Sequence, residues 1–465
     1  MEEMHAKQDS DGAIKRGRKF LFTFVALGVI IIAGGLYYEF LNQGVSLPAP
    51  MVKNLKNNCI VSPNGKHIAC DNAQGSGSSL IYQYILDGQA QNQYDYAGVP
   101  EFSPDSNHFA YVAEKNKKWF VVVDGKESGN KYDAIDQLVW SPDNSTLVYV
   151  ATEGTKQVLV NGTTTSQEYD TIYTVNGEGI VFSPDGERLA YVAMDETNNY
   201  VHYYVVLDGK ENGPYSKVPQ NLMFSPDSNH FAYFATTSST QAVFLDGQAL
   251  NPSAGLNSPN LMSVPLAFSP DSKNFVYAGE INDKYSIVEN GQASGQSYDA
   301  ITGIYFSPDG TKLVYVAQSA GSNFLVINGV EQAEKYPLSP GGNGNSIGSI
   351  IFSPDSQHVA YSVEYTTGES IDSYTYACGI DVDGKQIGYY WVPCFVTPAD
   401  AFFNNNDKLV YDMTNTWGSA GLYIDGKSVS TYNSIVSGLQ YNSTNNSVSY
   451  TSQNGSSQYF VTQSL

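Results

Sequence analysis

Residues 101–113 read EFSPDSNHFAYVA, and the same phrase returns along the chain. It recurs as VWSPDNSTLVYVA (139–151), VFSPDGERLAYVA (181–193), MFSPDSNHFAYFA (223–235) and AFSPDSKNFVYAG (267–279). YFSPDGTKLVYVA (305–317) and IFSPDSQHVAYSV (351–363) follow, and IVSPNGKHIACDN (60–72) is an eighth copy. FFNNNDKLVYDM (402–413) and QYNSTNNSVSYTS (440–452) read as eroded ninth and tenth copies. The motif prolines, Pro63, Pro104, Pro142, Pro184, Pro226, Pro270, Pro308 and Pro354, are 41, 38, 42, 42, 44, 38 and 46 residues apart. A four-stranded propeller blade repeats at about 40–45 residues.

Each copy has a physical reading. An apolar strand runs into Ser-Pro-Asp, where proline presets the first turn dihedral and the next small residue tolerates the tight corner. The second strand carries a tyrosine seven residues after the proline: Tyr111, Tyr149, Tyr191, Tyr233, Tyr277, Tyr315 and Tyr361. A variable loop leads to a third strand that ends in Asp-Gly or Asn-Gly, the strongest short hairpin signal. Examples are VVVDGKESGNKYDAI (121–135), VLVNGTTTSQEYDTI (158–172) and SIVENGQASGQSYDAI (286–301). The Tyr-Asp stretch that follows is expected to be the fourth strand. No helical period is visible after residue 50, so the fold class is all-β, a radial array of four-stranded blades.

These residues resemble the WD-like propeller repeat of the TolB type, whose mark is an aromatic-Ser-Pro-Asp-Gly turn followed by an apolar strand. The resemblance runs from about residue 55 to 465. It implies a β-propeller and leaves function open, since such propellers serve as binding platforms and as non-catalytic halves of peptidases. About ten repeats in a single ring are expected, with Met51 to Asn57 supplying the strand that completes the last blade. Two smaller rings in tandem are the alternative.

The chain has 465 residues, 46 acidic against 24 basic, for a formal charge of −22, and only 15% of it is charged. A hydrophobic fraction of 42% suffices for a packed core. Nucleic acid is excluded as a ligand, because so acidic a chain repels a polyanion. Residues 20–38, FLFTFVALGVIIIAGGLYY, carry no charge and follow Lys15, Arg16, Arg18 and Lys19. Such a run spans a bilayer as a helix, and the positive flank keeps the N-terminus in the cytoplasm. The expected organisation is a cytoplasmic tail (1–19), a transmembrane helix (20–41), a linker (42–50) and an extracytoplasmic propeller (51–465). A cleavable signal peptide is the rival reading, although its apolar core is usually shorter.

All four cysteines lie in the exported part, as an oxidising compartment allows. Pairing Ser62 with His67 across the turn sets Cys59 opposite Cys70. Cys378 and Cys394 similarly bracket an Asp383-Gly384 turn. Two disulfides are the preferred reading, with buried free thiols as the alternative; metal-site spacing is lacking.

Candidate chemistry is sparse. Gly344-Asn345-Ser346-Ile347-Gly348 matches the hydrolase elbow but leads into a strand, without the strand-to-helix turn that motif needs. His67, His108, His230 and His358 all lie four residues after the motif proline, where Thr146, Arg188, Asn274 and Lys312 stand in other copies. So tolerant a position reads as a solvated strand edge. The aspartates of the Ser-Pro-Asp and Asp-Gly turns read as caps for backbone amides. No catalytic residue, metal ligand or cofactor site is assigned.

Because strands alternate in direction, the two tight turns of every repeat share one face and the variable connections share the other. The longest of these are at 194–202, 251–265, 336–349, 363–375 and 388–401. They carry Asp195, Glu196, Glu364, Tyr365, Glu369, Tyr389, Tyr390 and Trp391, with Trp417 in a further loop. Aromatics among acids suit recognition of a protein, peptide or glycan in the cell envelope. The expected function is a non-enzymatic, membrane-anchored binding or scaffolding module. The rival is a hydrolase or lyase with dispersed acids in the central channel.

Overall fold

The computed structural model describes residues 59–464 except 65, 76–79, 175–178, 238–240, 251–264, 282, 339–345, 368–374, 391–400, 405, 407, 415–419, 433, 436–439, 443–445 and 455–456. They form ten antiparallel sheets in chain order, numbered here as blades 1–10, with no helix among the described residues. Blade 2 shows the plan. Its second strand, Phe109–Lys115, lies between Glu101–Phe102 and Lys118–Val123, and Lys126–Glu127 closes the sheet. The first strands touch one another between blades 4 and 5, 6 and 7, and 8 and 9. The short fourth strands of blades 1, 2, 3, 5, 6 and 7 are exposed. The first strands are therefore the inner edge of the array. The hydrophobic clusters lie between successive blades: Tyr84 of blade 1, for instance, packs with Phe109, Tyr111 and Phe120 of blade 2.

Three repeated aspartates hold this arrangement. The first caps the Ser-Pro-Asp turn. Ser103 Oγ donates to Asp105 Oδ1 at 2.5 Å and accepts the His108 N–H at 2.9 Å, and Asp105 Oδ1 also accepts the Asn107 N–H at 3.0 Å. The serine is fully buried, so only a small hydroxyl satisfied within the turn fits there. Such bonds hold the Asp271 and Asp309 carboxyls down at about 2. The turns also chain the blades together. The Asp105 N–H donates to Asn144 Oδ1 of the next blade at 2.8 Å, and Asp227 does the same to Ser272 Oγ at 3.0 Å.

The second aspartate heads the Asp-Gly turn. Asp124, at a φ of 49°, accepts the Phe109 N–H on Oδ1 at 2.9 Å and pairs with His108 Nδ1 through Oδ2 at 2.8 Å. His67 with Asp87, His230 with Asp246 and His358 with Asp383 repeat the pairing. The histidines read as a solvated edge are thus half exposed but engaged. Three of them also stack on an aromatic of the next blade: His67 on Phe102, His108 on Trp140 and His358 on Phe403.

The third aspartate corrects the sequence reading. The Tyr-Asp stretch is not the fourth strand, which is the short segment directly after the Asp-Gly turn. It is the link to the next blade. Tyr132 exchanges both backbone bonds with Trp119 of blade 2 at 2.9 Å, while the Asp133 N–H donates to Thr152 O of blade 3 at 2.9 Å. Asp133 then accepts Lys118 Nζ at 2.6 Å and the Gly154 N–H at 2.9 Å. One residue clasps two blades. The tyrosine meets the motif tyrosine of the following blade edge to face. Six such pairs (94/111, 132/149, 169/191, 215/233, 298/315 and 336/361) have centroids 5.9–6.3 Å apart and planes at 64–79°. Edge-to-face geometry of this kind is favourable by about 0.5–1.5 kcal/mol per pair.

Blade 3 departs from the reading in another way. Its Asn161 pairs with Val148 as the last residue of the third strand, the place Val123 holds in blade 2 opposite Ala110. Gly162 therefore stands where Asp124 stands, and the Asn-Gly of this copy is out of phase with the others.

Cys59 and Cys70 face each other across the first hairpin and form a disulfide with an S–S distance of 2.08 Å. Cys378 is buried and disulfide-bonded; Cys394 lies outside the described residues. So do the tail, the transmembrane segment, the linker and Met51 to Asn57. Among the described residues no helix is long and apolar enough to cross a membrane. Among the described residues blade 10 has three strand positions, all from the C-terminal stretch.

Candidate functional site

The hairpins between second and third strands define the variable-loop face. In blades 2, 3, 6 and 7 these hairpins end level with one another, at Lys115/Lys118, Glu153/Lys156, Ile281/Lys284 and Ser319/Ser322. Blade 4 differs. Its strands Leu189–Thr197 and Tyr200–Leu207 run two residues further from the motif proline on each side. At the rise of a β-strand this lifts the tip by about 6–7 Å. Asn198 and Asn199 turn the corner with φ of 54° and 65°, the left-handed pair of a tight hairpin. The stretch 194–202, expected to be a loop, is therefore paired strand.

Successive strand residues point to opposite faces, so one exposed and one buried neighbour is the ordinary pattern. Here Tyr200 is 71% exposed and its neighbour Val201 41%. Both faces of the tip are free. Lower down, the hairpin is anchored. Tyr203 packs on Tyr173 with centroids 6.0 Å apart. Asp195 accepts the Asp170 N–H at 3.1 Å and lies 3.6 Å from Lys156 Nζ. Asp170 in turn accepts the Glu196 N–H at 2.8 Å and Lys156 Nζ at 2.8 Å. These bonds hold the Asp170 carboxyl below its ordinary range.

Of the residues picked from sequence, Asp195 is thus a structural clasp, and Glu196 keeps an exposed side chain beside the tip. Glu364 is exposed on a second long hairpin, Val359–Thr367 paired with Thr375–Val382, and its Oε2 accepts Ser346 Oγ at 3.2 Å. Tyr365 lies in that strand, so the stretch 363–375 is also paired at its ends rather than being one loop. Tyr389 and Tyr390 belong to the fourth strand of blade 8, Lys385–Tyr390, and pair with Gly379 and Cys378 instead of lying in a loop. Glu369, Trp391 and Trp417 lie outside the described residues. Tyr200 and Val201 were passed over in favour of the nearby acids. The signal for them was Asn-Asn followed by YVHYYVVL, a hairpin turn and a continuous strand.

On the inner edge, burial pushes the Glu101 carboxyl up from 4.5 to about 7 and raises that of Asp136. Glu101 occupies the place held by Val139, Val181, Met223, Ala267 and Ile351 in other blades. Ser346 to Gly348, the tail of the elbow-like motif, sit inside the strand Ser346–Phe352. Among the described residues no three histidine, cysteine or acidic side chains converge as a metal site would require.

No family model matches the chain, and no curated protein matches it. Solved structures do. TolB from Acinetobacter baumannii is similar at 15% identity over 60% of this chain and 84% of that one, with a TM-score of 0.26. The β-propeller domain of the Trilobed protease from Pyrococcus furiosus matches at 12% identity over 59% and 95%, with a TM-score of 0.27. The Dos1 propeller matches at 10% identity over 78% and 92%, with a TM-score of 0.34. At such scores the likeness adds nothing to the strand topology, on which the fold rests.

Proposed function

We propose that this chain is a membrane-tethered, extracytoplasmic β-propeller that binds a protein or peptide in the cell envelope through its variable-loop face, with the blade 4 hairpin as the principal contact. The observation that carries the reading is the free tip, where Tyr200 and Val201 leave apolar surface exposed on both sides of a rigid hairpin. Tyrosine presented this way contributes large contact area at little entropic cost. A β-ribbon with two free faces also suits insertion into a partner's groove. The apolar run at 20–38 supports the tether.

The test is affinity capture from solubilised envelopes with the full-length chain, compared with the double variant Tyr200→Ser, Val201→Ser. Partners recovered with the parent chain are expected to fall at least about tenfold, as loss of a central aromatic anchor implies. A variant that keeps every partner at parental yield sinks the assignment.

The channel-enzyme reading has one observation in its favour, the raised Glu101 and Asp136 carboxyls. Against it, the places equivalent to Glu101 in five other blades are apolar.

A further inference from the structure

On the opposite, tight-turn face a cleft of about 380 Å³ opens between blades 2 and 3. Its origin is the missing aspartate of blade 3. In blade 2 the turn carboxylate of Asp124 caps the N–H of Phe109, the first residue of the second strand, and holds His108. In blade 3 the corresponding residues are Gly162, Leu147 and Thr146. Glycine offers no carboxylate to the Leu147 N–H, and threonine is too short to fill the place of the histidine. The gap between the blades stays open as a result.

The walls that remain have a definite chemistry. His108 is fixed through Nδ1 on Asp124, which leaves Nε2 as its remaining polar atom, and its ring stacks on Trp140 with centroids 5.6 Å apart at 20°. Trp140 replaces the phenylalanine found there in blades 2, 4, 5, 6, 7 and 8. Its Nε1–H is buried and has no hydrogen-bond partner, an unmet donor of the kind native interiors avoid. No lysine or arginine lines the cleft, and its single carboxylate already accepts two hydrogen bonds. Nothing there recognises an anion, and no free charge is left for a cation. What remains is a set of hydrogen-bonding side chains and a backbone N–H around indole and aliphatic surface, in a volume at the small end of ligand pockets.

We propose that this cleft binds a neutral sugar, a pyranose ring packed beside Trp140 whose hydroxyls meet the Leu147 N–H, Thr146 and His108. This site is independent of the blade 4 hairpin and lies on the other face.

The full-length chain, solubilised, is titrated with glucose, N-acetylglucosamine and maltose while tryptophan emission is followed, with inorganic phosphate as the anionic control. At least one sugar is expected to give a saturable change, and phosphate none. Gly162→Asp supplies the carboxylate that blades 1, 2, 4, 5 and 8 carry at this place as Asp87, Asp124, Asp208, Asp246 and Asp383. The backbone suits it, with a φ of 58° against 49° at Asp124, and a Cβ there meets nothing within 4 Å. This variant is expected to fold and to bind the sugar at least about tenfold more weakly. Trp140→Phe restores the usual residue of the repeat and, followed by calorimetry, is expected to lose affinity likewise. No saturable response to any of the three sugars, saturation by phosphate, or parental affinity in both variants would each overturn the proposal.

Discussion

Glu101→Gln is the substitution whose effect is best fixed by the geometry. Glu101 sits on the inner strand of blade 2, partly exposed, at a place other blades fill with Val139, Val181, Met223, Ala267 or Ile351. Burial alone lifts its carboxyl from 4.5 to about 7. Because the folded value is the higher one, folding takes up a proton between these limits. The cost of the charge is absent below pH 4.5, grows through the window and is complete above pH 7. The full gap corresponds to about 3 kcal/mol. Water reaching the partly exposed carboxylate reduces the expected effect to roughly 1–2 kcal/mol. Glutamine keeps the shape and removes the charge. Urea midpoints of parent and variant, compared at equal slope, should therefore coincide at about pH 4 and separate in favour of glutamine at about pH 8. A difference that does not change with pH, or a variant less stable than the parent at pH 8, would refute the reasoning.

Two further predictions concern the contacts between blades. Gly310 stands where Ser272 and Ser356 accept an N–H from the preceding turn, and its φ of 73° suits the change. Gly310→Ser is expected to add the missing bond to the Asp271 N–H and stabilise by about 0.5–1 kcal/mol in thermal unfolding. The same change at Gly186 should destabilise, since a Cβ there lies 2.5 Å from Asp143 Oδ1; equal effects at the two sites would count against the account. The buried Tyr215 and Tyr233 hydroxyls are 2.7 Å apart. Tyr233→Phe strands one of them and should cost about 1–3 kcal/mol. The double change with Tyr215→Phe should cost less than the single one, which urea midpoints would show.

How much could be read in advance follows the range of the bonds involved. The Ser-Pro-Asp turn closes within six residues, from Ser103 to His108, so its chemistry is complete in the motif. The same locality placed Cys59 opposite Cys70. The Tyr-Asp link was misread because its bonds go to two blades at once, Tyr132 back to Trp119 and Asp133 forward to Thr152. Nothing adjacent in sequence marks either partner. Blade 3 misled for the opposite reason. Its Asn161-Gly162 looks like every other turn of its kind, and only the pairing of Asn161 with Val148 exposes the shift by one residue. On the variable-loop face, length between motifs does not mean irregularity. Thr197 and Tyr200 extend a hairpin instead of opening a loop, so the exposed side chains belong to the tip and Asp195 to its root.

The acid surplus takes on a different meaning in this light. A net charge of −22 suggests a cationic partner, yet a blade carries up to three aspartates whose oxygens accept backbone N–H groups. A carboxylate is the strongest short acceptor available for such caps, and a repeat fold multiplies each choice around the array. The charge is then a by-product of holding turns and clasping blades, and it identifies no ligand. Where every blade repeats the same solution, the positions free to evolve recognition are those that break it. Two breaks stand out. Blade 4 lengthens its hairpin and leaves Tyr200 and Val201 uncovered, and blade 3 loses its turn carboxylate at Gly162 and opens a cleft beside Trp140. They lie on opposite faces, so the two proposed contacts, one with a macromolecule and one with a small ligand, are separate and leave the interblade bonds that hold the array undisturbed.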